Sequence, residues 1–176
     1  MKLNIAIKAS CISILFFLYA SSFLFSQADS LKKGELVWHS DLLEAQDLSK
    51  SLNKPIFAFF TGSDWCGWCH KLQRDVLEKS EFKKWAQKNV VLLELDFPRN
   101  KQLSPELSQQ NADLQQAFQV QGFPTIWMFY LSKDEASGKF KISPLGSLGY
   151  PQGVQPGKEA EKFISNANSI LTKKLK

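Results

Sequence analysis

A short apolar run, Ile56 to Phe60 (IFAFF), ends in a Thr61-Gly62-Ser63-Asp64 turn, and the helical pattern beyond it opens on Cys66-Gly67-Trp68-Cys69. An unbroken apolar run of this length reads as a strand buried on both faces, which demands helices on both sides of a sheet. The chain supplies them. Ser40-Asp41 opens a helix with Leu42, Leu43, Ala45 and Leu48 as its apolar side, Asp41 and Glu44 have capping-box spacing, and Asn53-Lys54-Pro55 ends it. The cysteine helix runs from Cys66 to Leu77 with Leu72, Val76 and Leu77 facing inward; Ser80 caps a second, carrying Phe82 and Trp85. Val90 to Leu95 is another buried strand, residues 96–110 read as a polar loop with Pro98 and Pro105, and Ala112 to Phe118 is helical. Gly122-Phe123-Pro124-Thr125 breaks the pattern before a third strand, Ile126 to Leu131; residues 132–138 form a hairpin turn, and a weaker strand begins at Lys139 to Ile142. After a Gly/Pro loop at 149–157, Glu159 to Leu171 is an amphipathic helix with Ala160, Phe163, Ile164, Ala167 and Ile170 as its stripe. Helices alternating with apolar strands make the class α/β, and the closing hairpin makes the sheet mixed.

Residues 1–28 read as a signal peptide. Lys2 and Lys8 form the positive end, Cys11 to Phe25 the apolar segment, and Ser26-Gln27-Ala28 the cleavage site before Asp29. The apolar segment is shorter than the roughly 20 residues that span a bilayer, which favours cleavage over a retained anchor. Lys8-Ala9-Ser10 before Cys11 does not resemble a lipidation site. The expected location is therefore periplasmic or otherwise extracytoplasmic. Losing Lys2 and Lys8 lowers the formal charge from +5 by two, and the remaining excess forms no basic stripe, so no nucleic-acid partner is expected. Of the 3 cysteines only Cys66 and Cys69 then remain, so none is left for a structural disulfide framework. Nothing in the pattern calls for more than a monomer. Residues 29–37 read as a polar lead-in, His39 as part of it, and Trp38, Trp85 and Trp127 as packing residues.

The position of Cys66 matters more than the motif's letters. A helix N-terminus carries about half a positive charge and unpaired N–H groups, both of which favour a thiolate. Residues i and i+3 of the first turn sit ~5–6 Å apart, within disulfide range. Cys66 is then the exposed nucleophile and Cys69 the resolving sulfur; Gly67 keeps the approach open, and Trp65 and Trp68 give an apolar rim for a substrate chain. Two other chemistries share these letters. Cys66-Gly67-Trp68-Cys69-His70 also matches the c-type haem attachment pattern, which needs His70 and a second ligand from Met128 or His39. A zinc site of Cys66, Cys69 and His70 lacks a fourth ligand. The redox reading needs no cofactor and no metal.

With Trp65-Cys66-Gly67-Trp68-Cys69 and Gly122-Phe123-Pro124-Thr125 both in place, the chain resembles the thioredoxin superfamily over roughly residues 36–172. Phe60 to Cys69 together with Leu95-Asp96-Phe97-Pro98 is similar to the small periplasmic DsbH-like branch. The resemblance implies a thioredoxin fold over 29–176, a central mixed sheet flanked by helices. It also implies a cis peptide before Pro124, packed against the cysteine pair, with Phe123 pairing the extended substrate. The chain departs from thioredoxin at the buried Asp that serves the second cysteine and at a nearby Lys. Counting along the sequence places Phe60 and Leu92 there, a dry site that leaves proton transfer to water or Asp64. Extra residues around 97–111 are expected to contribute to partner choice.

The resemblance implies a protein-disulfide oxidoreductase acting on protein or peptide disulfides, leaning towards reduction, with electrons from a membrane thiol carrier. Trp68 brings no charge of the kind that makes a strong oxidant, and isomerase is less expected as an independent activity, since exported isomerases add a dimerisation module for which this length leaves no room. The competing readings are a stoichiometric thiol carrier in cytochrome or metal-site assembly, and the c-type haem protein.

Overall fold

The computed structural model describes residues 35–134, 136 and 138–173; the proposed signal segment lies outside them. Within 34–176, the larger of two compact units, the elements are β1 (Trp38–His39), α1 (Leu42–Leu52), β2 (Ile56–Thr61), α2 (Gly67–Leu72, continued by a π-helical turn Gln73–Leu77), α3 (Ser80–Asn89), β3 (Val91–Asp96), α4 (Pro105–Ala117), β4 (Thr125–Lys133), β5 (Phe140–Leu148) and α5 (Glu159–Lys173). The sheet order is β1-β3-β2-β4-β5. β1, β3 and β2 run parallel, and β4 and β5 are antiparallel to their neighbours.

β2 is central and buried throughout. Its alternation divides the core. Phe57 and Phe59 join Leu92, Ile126 and Met128 in one layer with Cys69, Leu72 and Val76 of the cysteine helix, Phe82 and Trp85 of α3, and Phe163, Ala167 and Ile170 of α5. Ile56, Ala58 and Phe60 join Leu93, Leu95 and Phe129 in the other layer, covered by Ala45 of α1 and by Leu114 and Phe118. Burying each Phe contributes roughly 1.5–3 kcal/mol, so β2 anchors both layers.

The caps explain most boundaries. Asp41 Oδ1 accepts from Leu43 N (2.7 Å) and Glu44 N (3.0 Å), and Asn53 ends α1 in the left-handed conformation. Several boundaries differ from the sequence reading. The loop over 96–110 is shorter than expected: Ser104 caps α4 by accepting from Leu107 N, and Pro105 takes its first position, so Ser-Pro starts a helix rather than extending a loop. His39 is not lead-in but pairs with β3 in a two-residue edge strand, whose Trp38 packs on Phe57 and Phe59 as expected. Ser80 is the first residue of α3; Lys79 holds the cap position and gives no side-chain bond. Leu43 of α1 is exposed rather than part of the inward face. β5 runs on to Leu148, tolerating Pro144 at a register shift on an edge strand.

Among the described residues, Thr61 Oγ1 is the buried side-chain polar atom without a hydrogen-bond partner. An unsatisfied buried hydroxyl costs about 1–3 kcal/mol. Thr61→Val keeps the branched shape and removes it, so it is expected to stabilise the oxidised protein by about 1–2 kcal/mol. The readout is a higher urea midpoint with an unchanged m-value.

Candidate active site

The end of β2 sets the start of α2. Cys66 N donates to Gly62 O (2.8 Å), closing the turn, and Cys66 is the N-cap residue of α2. Its Sγ accepts from Cys69 N at 3.2 Å, so the sulfur sits where a helix start presents its unpaired donors. Cys66 and Cys69 form a disulfide with Cα atoms 5.2 Å apart. Cys69 has no exposure and Cys66 has 5%, less than the open sulfur expected from sequence; what access exists is to Cys66. A Cβ on Gly67 would meet nothing within 4 Å, so the space beside the pair is open. The Phe123–Pro124 peptide is cis, and Gly149 brings the loop after β5 up to the Pro124 carbonyl, with room for a Cβ 3.8 Å from it.

Polar side chains hold the turn between strand and helix. Asp96, at the end of β3, accepts from Ser63 N (2.8 Å) and Ser63 Oγ (2.7 Å) and pairs with Lys101 (2.8 Å). Burial pushes the Asp96 carboxyl up, but the bonds from Lys101 and Ser63 outweigh it and hold it below its ordinary value. Asp64 accepts from Arg99 N (3.0 Å) and Asn100 N (2.6 Å), and the first of these bonds leads in lowering its pKa. A carboxylate held this way is a poor proton acceptor, contrary to one of the two routes expected for Cys69.

Phe60 lies in the layer away from the cysteines, and Phe59 shares theirs. The β3 register partner of Phe59 is Glu94, whereas Leu92 pairs with Phe57. The cysteine side of the sheet therefore carries a carboxyl, Glu94, which burial raises above its ordinary value.

The two rim tryptophans differ. Trp65 (37% exposed) is fixed: its Nε1 donates to Phe97 O (2.8 Å), its ring meets Phe123 at 6.0 Å, and a Cβ on Gly62 would overlap the indole. Trp68 (56% exposed) has one ring neighbour among the described residues, Tyr150, edge to face at 5.4 Å. Tyr150, which sequence reading missed, is tied down by donating to Asp75 Oδ2 (2.9 Å) beneath the Lys71 ammonium. Phe97, stacked on Phe123 at 5.0 Å, was also missed as a site residue. Phe97 stands in the Leu95-Asp96-Phe97-Pro98 motif, which was its available signal; Tyr150 has no motif, and the aromatic beside Gly149 was the one signal for it. The side chains a haem site requires do not converge: His70 Nε2 bonds Ser63 O (2.8 Å), His39 pairs with Glu44 (3.1 Å), and Met128 is buried in β4.

The thioredoxin-like domain family matches residues 42–134. This chain belongs to that family. Disulfide bond reductase DsbH of Chlamydia pneumoniae is 36% identical over 129 residues, covering 73% of this chain and 76% of that protein. Thioredoxin-related protein DsbJ of the same organism is 33% identical over 144 residues, 82% of this chain but only 39% of its own length. A solved DsbH oxidoreductase structure superposes with a TM-score of 0.64 at 33% identity, covering 89% of this chain and 98% of that one. A thioredoxin from Thermus thermophilus shares the fold, with a TM-score of 0.52 at 16% identity over 78% of this chain and 88% of its own. The chain is thus a thioredoxin-fold protein-disulfide oxidoreductase of the DsbH-like kind, as the two motifs implied.

Asp96 makes the site's frame sensitive to acid. Its folded pKa is depressed, so its stabilisation is complete above the unfolded value near about 4 and is lost as pH falls through the folded value. Asp96→Asn is expected to be the less stable protein at pH 7, with the gap narrowing steadily below about pH 4. Denaturation midpoints across that range check this; a pH-independent gap would contradict it.

Proposed function

We propose that this oxidoreductase works outside the cytoplasm and reduces disulfides of protein or peptide substrates. The observation that carries the chemistry is the placement of Cys66 Sγ at the α2 N-cap, accepting the Cys69 N–H. In the reduced protein that environment favours the Cys66 thiolate. The thiolate attacks one sulfur of the substrate disulfide, forming a mixed disulfide and expelling the first substrate thiolate. Cys69, once deprotonated, attacks Cys66 Sγ, expels the second substrate thiolate and leaves the Cys66–Cys69 disulfide. Two electrons pass to the substrate, and a thiol donor at the membrane restores the pair.

The burial of Cys69 suits it to resolve and not to attack. In this reading Phe123, before the cis proline, offers its backbone to an extended substrate, Pro124 takes the place beside the pair that the family resemblance implies, and Trp65 and Trp68 flank the approach. The reducing direction is supported by the name of the DsbH relative, a disulfide bond reductase, and by a rim without a cation between the cysteines. Export is supported by the N-terminal signal pattern.

Equilibration in glutathione buffers with thiol trapping tests the direction. A potential near or below about −250 mV is expected, and one near or above about −150 mV would make the protein a disulfide donor. Cys69→Ser is expected to accumulate a mixed disulfide with a peptide substrate through Cys66, and Cys66→Ser to form none. Thiol consumption without turnover in the presence of a renewable reductant would favour a stoichiometric carrier.

A further inference from the structure

Three charged side chains meet where the turn before α2 lies against the segment after β3, and two of them are spoken for. Asp64 is occupied by the backbone N–H groups of Arg99 and Asn100, and Lys101 turns in to Asp96. The remaining one is the Arg99 guanidinium, whose carbon lies 3.8 Å from the centroid of the Trp65 ring. Arg99 is exposed and has no carboxylate partner among the described residues. Trp65 is itself immobilised by Phe97, Gly62 and Phe123, next to Cys66 in sequence and to the cis proline through Phe123.

A guanidinium lying on an aromatic ring keeps its charge and its in-plane N–H donors available at the edges. Those donors match a carboxylate in a two-bond fork, and the ring beneath reduces the freedom that would be lost on binding. Fixed on Trp65 at the rim of the cysteine pair, such a fork is placed to read one side chain of a substrate whose disulfide is at Cys66.

We propose that Arg99 is a specificity-determining residue that selects disulfide substrates carrying an Asp or Glu beside the attacked cysteine. This rests on the reducing reading above. The partner class is an acidic-flanked extended peptide.

The test uses the prereduced protein and two synthetic disulfide-closed peptides of one sequence, with either Glu or Gln flanking the cysteines. The second-order rate of peptide reduction is followed by thiol release. The Glu peptide is expected to react about two- to fivefold faster at low salt, the range of an exposed ion pair, with the preference fading at high salt. In Arg99→Gln the ratio should fall to about one, and in Arg99→Glu it should invert. Lys88→Gln, an equal charge change on exposed α3 surface, is expected to keep the wild-type ratio. A ratio of one in the wild type, or a ratio that survives Arg99→Gln or collapses equally in Lys88→Gln, overturns the assignment. Failure to reduce either peptide overturns the reducing reading instead, and the selectivity proposal with it.

Discussion

Burial of β2 on both faces determines where α2 can begin. Phe57 and Phe59 are fully enclosed on one side and Ile56, Ala58 and Phe60 on the other, so the strand can neither slide nor rotate without exposing one of the two layers. A one-residue slip would exchange the faces of every side chain. The strand end is therefore a rigid post, and the Gly62 O to Cys66 N bond carries that rigidity one turn further, to the capping sulfur. The cysteines need no scaffold of their own; they inherit position from the aromatic packing behind them.

Polar groups then hold what the apolar core cannot reach. Ser63 is held by Asp96 from the end of β3, while Asp64 in the same turn holds the chain at Arg99 and Asn100. The turn before the cysteines and the segment after β3 are thus braced against one another from both directions. Trp65 closes the same junction by bonding Phe97 O. Such a junction ties the segment after β3 to the turn that positions the redox pair.

The fold and the cysteine pair were legible because their signals are local and strong: an apolar run, a turn, a CxxC at a helix start, and a Gly-Phe-Pro-Thr break. The pairing of Phe59 with Glu94 was not, because the register of β2 on β3 decides which side chains share a face and neither apolar run records it. The start of α4 was lost because Ser104-Pro105 is equally a loop and a cap-plus-first-residue pair; only the accepted Leu107 N–H tells them apart. Tyr150 and Arg99 lie far from Cys66 in sequence, and only the fold brings them to the rim.

The two sides of the rim have different mechanical character, and this bears on recognition. On one side Trp65 is gripped by a hydrogen bond, by Phe123 and by the lack of a Cβ on Gly62. On the other, Trp68 leans on one ring, Tyr150, whose own anchor is the Asp75–Lys71 pair. A fixed wall discriminates because a poorly fitting side chain cannot push it aside, whereas a lightly held indole adapts to whatever apolar surface arrives. Enzymes that must accept many disulfides yet avoid indiscriminate exchange need both properties. Under the selectivity proposed for Arg99, this division assigns discrimination to the segment after β3 and tolerance to Trp68.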